Sequence, residues 1–326
     1  MNFIAARSCR GSLLPLQNIP VCVSAASPQV NSIRGVLRRN RRCASAISSS
    51  TYCQDLVRKH DAEHFLSSLW LPADIRQAVF AIRAFNIEVA QIREVTSEIQ
   101  IARIRSQWWR DSLGFVYENA KDPGHPVLKE LAKAVHTHQL NRRWLERLIR
   151  EREKRFDESG FMSMDEVEDY SEGINSSLLY LSLQCVGVSD IHADHAASHL
   201  GKTEGIITLL RGVQYHARRR KVFLPMDQLL AAGVSQEEVI RQQNEAAITE
   251  VAYTISSQAN SHLEMAREHT NDVAPRAKRV LLPAVAADMF LTRLQKEHFN
   301  LYSKTLDAPH ASLPFRLLSK AWSRAY

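Results

Sequence analysis

The sequence has little cysteine, little glycine and no long apolar run, and its charge excess is confined to one end. Of the five cysteines, Cys9, Cys22 and Cys43 lie in the first fifty residues. Only Cys53 and Cys185 remain, far apart and without a CxxC, which argues against a disulfide framework and a cysteine-rich zinc site. Residues 51–326 hold nine glycines, few for a sheet-rich fold with tight turns, and no run of alternating strand pattern stands out. No apolar stretch reaches the ~18 residues of a transmembrane helix. The longest, around Leu178 to Val188, is broken by Ser182 and Gln184. The chain as a whole carries +7, but residues 1–50 hold seven arginines and no lysine or acid, leaving 35 basic against 35 acidic residues in the rest. A body without net charge argues against a nucleic-acid binder.

Arginine-rich, serine-rich and acid-free is the composition of a mitochondrial transit peptide, expected over residues 1–48. A positive segment is drawn toward the negative side of an energised membrane, and a carboxylate would oppose that. The competing reading is a disordered basic tail. Arg41-Arg42-Cys43-Ala44 is a candidate processing stretch. Residues 49–326 are then expected to form one domain.

That domain reads as helix after helix. Ala78, Ile82, Phe85, Val89 and Ile92 recur at three- and four-residue spacing, as do Val167, Tyr170, Ile174, Leu178, Leu181 and Cys185. Further helical stretches are expected near 98–118, 126–139, 142–158, 193–214, 244–269 and 284–304. Pro72, Pro126, Pro225, Pro275 and Pro283 mark breaks or first turns. An all-α domain of this size is large, but a helical fold can wrap a central cavity. In Trp108-Trp109 one ring is expected in the core and the other at its border.

Leu200 to Pro225 reads LGKTEGIITLLRGVQYHARRRKVFLP, and Ala78 to Glu94 reads AVFAIRAFNIEVAQIRE. The first resembles the squalene/phytoene synthase pattern LG-x-A-x-Q-x-x-N-I-L-R-D-V-x-E-D-x-x-x-G-R-x-Y-L-P, and the second that family's first aspartate-rich helix. The resemblance implies the all-α isoprenoid-synthase fold around a central cavity. It also implies where chemistry would sit: carboxylates one turn apart on two facing helices hold Mg²⁺, which binds a prenyl diphosphate and stabilises the leaving group. At those positions this chain has Ala90 and Gln91, with Glu94 alone keeping a carboxylate, and Gly212 and His216 in the second motif. Glu88 and Glu94, six apart, lie on different sides of a helix. Synthase chemistry is therefore not expected, and no cofactor is. The phrases RAFNIEVAQI, SSLLYLSLQCVG and HADHAASHLGKTEGIITLLR resemble a non-synthase branch of the same family. That resemblance implies a matrix protein peripheral to the inner membrane, with complex I assembly intermediates or membrane-arm subunits as partners. A prenyl transferase with an altered site and an isoprenoid or lipid carrier are the alternatives.

Three other features invite functional readings. Arg211, Arg218, Arg219, Arg220 and Lys221 could bind a phosphate or anionic headgroup, against a solvated charge run or pairing to Glu204 and other acids. His192, His195 and His199 could share a helix face and ligate zinc with Asp194 or His216, against a polar helix start. Phe315 to Tyr326 places Leu318 and Trp322 on one side and Arg316, Lys320 and Arg324 on another. It could dock on the inner-membrane surface or a partner, against closing the domain's own core. Gly201 and Gly205, four apart, suggest close helix packing.

Overall fold

The computed structural model describes residues 48–326 apart from 97, 119–123, 158–159, 269 and 324. The expected leader, Ser48 excepted, lies outside the described residues. Among those described there is no strand. The helices run in the order α1 Ser49–His60, α2 Ala62–Ser68, α3 Ala73–Val95, α4 Ile99–Tyr117, α5 Pro126–His138, α6 Arg142–Glu153, α7 Met164–Ser171 and α8 Ser177–Cys185. A π-helical turn at Glu172–Ser176 joins the last two. There follow α9 Ile191–Ala217, α10 Met226–Ala231, α11 Gln236–Arg241, α12 Glu245–Glu268, α13 Pro275–Val280, α14 Pro283–Lys296 and α15 Leu313–Ser323.

Local chemistry sets most of these ends. Ser48, Asn141, Ser163 and Asp190 accept backbone N–H bonds at the starts of α1, α6, α7 and α9. Pro126, Pro275 and Pro283 stand in first turns, where the missing N–H costs nothing. Two helices are shorter than their apolar pattern suggests. The stretch from 142 is helical only to Glu153. The stretch from 284 stops at Lys296, because His298 and Phe299 turn left-handed, at φ 51° and 60°.

Both apolar faces read from the sequence are buried. Ala78, Ile82, Phe85, Val89 and Ile92 line the inner side of α3, and the face from Val167 to Cys185 runs through α7, the π turn and α8. Trp109 is buried and Trp108 is half exposed. Cys53 and Cys185 are free and buried; loss of water pushes both thiols up to about 12, so both stay protonated. One large core spans the bundle. A small second cluster, Leu282, Val285, Ala286, Met289, Leu313 and Leu317, fastens α15 to α14.

The long helix α9 packs along α12 on one side and along α7 and the π turn on the other. Its closeness to the π turn depends on glycine. A Cβ on Gly201 would come within 2.6 Å of Ser176 Cα, and one on Gly205 would overlap the Ser171 side chain. Alanine in a helix normally gains about 1 kcal/mol over glycine. Here backbone must move to admit it, so Gly201→Ala is expected to lose a net ~2 kcal/mol. Urea denaturation reads this directly, and a variant as stable as the parent would refute the close approach.

Candidate functional site

The two motif helices are α3 and α9. Near the C-terminal end of α3, Ala90 is buried, Gln91 half-buried and Glu94 exposed. Loss of water raises the Glu94 carboxyl pKa, and the Arg219 charge opposes that rise. On α9, Gly212 is half-buried and His216 is buried. The His216 ring stands edge-on to Phe223, 4.5 Å between centroids, and to Tyr215 at 5.1 Å. Burial, then the Arg219 and Lys221 charges, push its pKa down to about 4, so it is neutral at physiological pH. Around it Leu209, Val213, Phe223, Leu224 and Val239 close an apolar recess of about 10 Å³. Ligand sites ordinarily offer ~300 Å³ or more, so the recess is too small for a prenyl chain, whatever room the patterning suggested. Mg²⁺ needs several hard oxygen ligands. An alanine, a glycine, a neutral histidine among apolar side chains and one carboxylate do not fit it.

The basic residues do not converge on one point. Helix α9 ends at Ala217, with Arg218 as its cap at φ −60° and ψ −21°, and the residues after it leave the helix. Arg211 turns inward. Its Nη1 donates to Glu63 Oε2 at 2.8 Å, and its guanidinium lies 4.5 Å from the Phe290 ring centre. The acid that pairs with it is Glu63, not Glu204. Arg219 stacks on Tyr215 at 3.6 Å, and Arg220 grips both oxygens of Glu237 on α11. Arg218 and Lys221 are exposed.

Glu204 has another role, which the sequence left unread. His64 on α2 reaches Asp61 Oδ1 through Nδ1 at 2.6 Å and Glu204 Oε1 through Nε2 at 3.0 Å. Arg83 on α3, itself buried, donates to the other Asp61 oxygen at 3.1 Å. Burial and the Arg83 charge would lower the His64 pKa, but Asp61 and Glu204 outweigh them and raise it to about 9. Burial alone would raise Asp61; His64 and Arg83 instead hold it well below the usual carboxylate range. The four side chains form a balanced set of two cations and two anions that ties α2, α3 and α9 together. One signal was available: Glu204 and Arg211, seven residues apart, share a face of α9 that is otherwise rich in apolar and small residues.

The histidines form a row. His195 Nε2 lies 3.3 Å from His199 Nε2, and His199 Nδ1 lies 2.8 Å from His262 Nδ1. His262 Nε2 in turn meets Glu168 at 3.1 Å. The spacing did not include His262, which comes from α12. His192 is exposed in the first turn of α9. Loss of water and then the neighbouring histidines push His199 down to about 4. Rings that bond edge to edge do not point at a shared centre. Among the described residues no group of three or more His, Cys, Asp or Glu is arranged to hold a metal ion.

Comparison with known proteins places these features in context. The profile of the family described as squalene/phytoene synthase matches residues 57–316. A Bos taurus protein named NADH dehydrogenase (ubiquinone) complex I, assembly factor 6, is 40% identical over 308 residues, covering 90% of this chain and 92% of that one. The Homo sapiens protein of that name is 43% identical over 275 residues, covering 84% and 82%. A presqualene diphosphate synthase of Rhodopseudomonas palustris is 23% identical, covering 77% and 87%. Among solved structures, a dehydrosqualene synthase in complex with ligand superposes with TM-score 0.73 at 18% identity, covering 84% of this chain and 95% of that one. The squalene synthase HpnC from Alicyclobacillus acidocaldarius gives 0.69 at 15% identity, covering 77% and 95%. The structural likeness shows an all-α isoprenoid-synthase fold.

The buried ion pairs make stability depend on pH. A histidine raised to about 9 when folded contributes fully below its unfolded pKa near 6.5, and the contribution disappears as pH rises through about 9. Asp61, being lowered, contributes above its ordinary range and loses its contribution only in acid. Between pH 6 and pH 10 the parent is expected to lose about 2 kcal/mol of unfolding free energy that His64→Gln does not lose. Equal losses in urea titrations of the two proteins would refute a charged His64.

Proposed function

The chain belongs to the squalene/phytoene synthase family, and from that premise we propose that it is a non-catalytic assembly factor for respiratory complex I. It works in mitochondria, peripheral to the matrix side of the inner membrane. Its action is binding, at an early stage of the membrane arm, with an assembly intermediate, a lipid-like molecule or both. The observation that carries this reading is the pairing of two facts: extensive likeness to proteins named for complex I assembly, and a donor set at Ala90, Gln91, Gly212 and His216 that does not fit the metals of diphosphate chemistry. The basic leader supports a mitochondrial address. No helix among the described residues is long and apolar enough to cross a membrane, in keeping with a peripheral attachment.

The closed recess at His216 weighs against the alternatives of a prenyl transferase and a carrier that holds its lipid in the same place.

Depletion of the protein should lower assembled complex I and leave early membrane-arm intermediates, readable on native gels, and the intact chain should restore it. Unchanged complex I on depletion would end this reading. Purified protein given prenyl diphosphates and Mg²⁺ should release no diphosphate above background; steady turnover would reinstate the transferase.

A further inference from the structure

Helix α15 is apolar on two opposite sides. Leu313 and Leu317 are buried against α14. Phe315, Leu318 and Trp322 lie together on the outer side, and they are 74%, 46% and 86% exposed. Positions 315, 318 and 322 fall within about 60° of one another around the helix axis, opposite the buried pair. The sequence allowed two uses of this helix, closing the core or docking outward. In the folded chain different residues do each.

The outer stripe is not isolated. Leu318, Ala321 and Trp322 form one wall of an open groove of about 350 Å³, and Leu69, Trp70 and Pro72, in the turn between α2 and α3, form another. Arg76 and Arg279 also line it. Leu69 adds to the exposed apolar surface. Together α15 and the turn offer two indoles, a phenyl ring and aliphatic side chains on one face, with guanidinium groups beside them. That combination suits the boundary between acyl chains and headgroups, where tryptophan is at home and long basic side chains extend to phosphates.

Charge selects the occupant. Residues 275–326 hold nine Lys and Arg against three Asp and Glu, whereas residues 51–274 hold 26 against 32. The neutral body is thus a positive C-terminal segment joined to a negative remainder. A second copy meeting it face to face, as in a two-fold dimer, would bring a like charge. The leader is equally unsuited, because its charged residues are all arginines. An anionic lipid surface matches both the apolar stripe and the charge.

We propose that the outer face of α15 and the turn at Leu69 to Pro72 form the surface by which this protein sits on an anionic phospholipid bilayer. Phe315, Leu318 and Trp322 enter the interface, while Arg76, Arg279 and Arg316 meet the headgroups. This rests on the peripheral attachment given under the proposed function, and it assigns that attachment to named residues.

The test uses the full chain with its seven leader arginines changed to glutamine, so that the leader cannot supply the binding. Flotation with vesicles of phosphatidylcholine containing about 20% cardiolipin should carry the protein up. Phosphatidylcholine alone, or high salt, should weaken this. Leu318→Glu combined with Trp322→Glu should reduce binding roughly ten-fold or more, and Arg279→Glu with Arg316→Glu should remove the preference for the anionic lipid. As a control, Ile104→Glu, at an exposed apolar position on α4, should float like the parent. The proposal is overturned if the parent stays at the bottom, if the α15 variant floats undiminished, or if the α4 variant fails instead. Equal binding to neutral and anionic vesicles would likewise overturn it. A separate readout keeps the two readings apart. Restoration of complex I in depleted cells tests the assembly role with the parent chain, whereas flotation tests the surface without reference to complex I.

Discussion

A protonated histidine held between a half-buried and a buried carboxylate is the constraint on which this structure depends. His64 takes Asp61 on one side and Glu204 on the other, and Arg83 completes the balance. None of the four is tolerable alone in the interior, since an unpaired buried charge costs several kcal/mol. Together they fix α2 against both motif helices. Helix α3 is otherwise packed mainly on α1 and α5, and α9 on α12 and the π turn, with α8 touching both, so the network adds a specific polar link to that packing. Arg211 with Glu63 extends the same link by one more pair. In an isoprenoid synthase, carboxylates on these helices need metal ions to balance them. In this chain the buried acids find their cations in the protein.

The consequence is a fold whose packing does not rest on the motif positions. The long helix α9 still presses against the π turn through Gly201 and Gly205, and that geometry does not depend on what stands at Gly212 or His216. His216, neutral and edge-on to Phe223, closes its neighbourhood as an aromatic side chain does. The residues that pack α9 against the π turn are thus different from those at its motif positions.

The sequence made the helices legible because their signals are local. Apolar spacing, proline and capping residues act within one or two turns, and every residue of the α3 face and of the Val167 to Cys185 face is buried as the spacing requires. The resemblance in the two motif segments gave the fold. The polar network was not legible, because His64 and Glu204 are 140 residues apart and nothing in either segment names the other. His262 was missed for the same reason: it joins His199 from α12, 63 residues on. The π turn was hidden because one extra residue in a helix leaves the apolar pattern nearly unchanged over so short a span. Arg211 was read as part of a basic cluster because chain proximity suggests shared purpose, yet helix direction sends it inward to Glu63 and leaves Arg218 outside.

Net charge tells a similar story about what sums conceal. A total of +7 first reduces to a basic leader and a neutral body, and the neutral body then divides into a negative part and a positive C-terminal part. A positive segment that carries the exposed outer stripe of α15 turns that stripe toward an anionic surface before contact. Short-range apolar contact then holds what the field has turned.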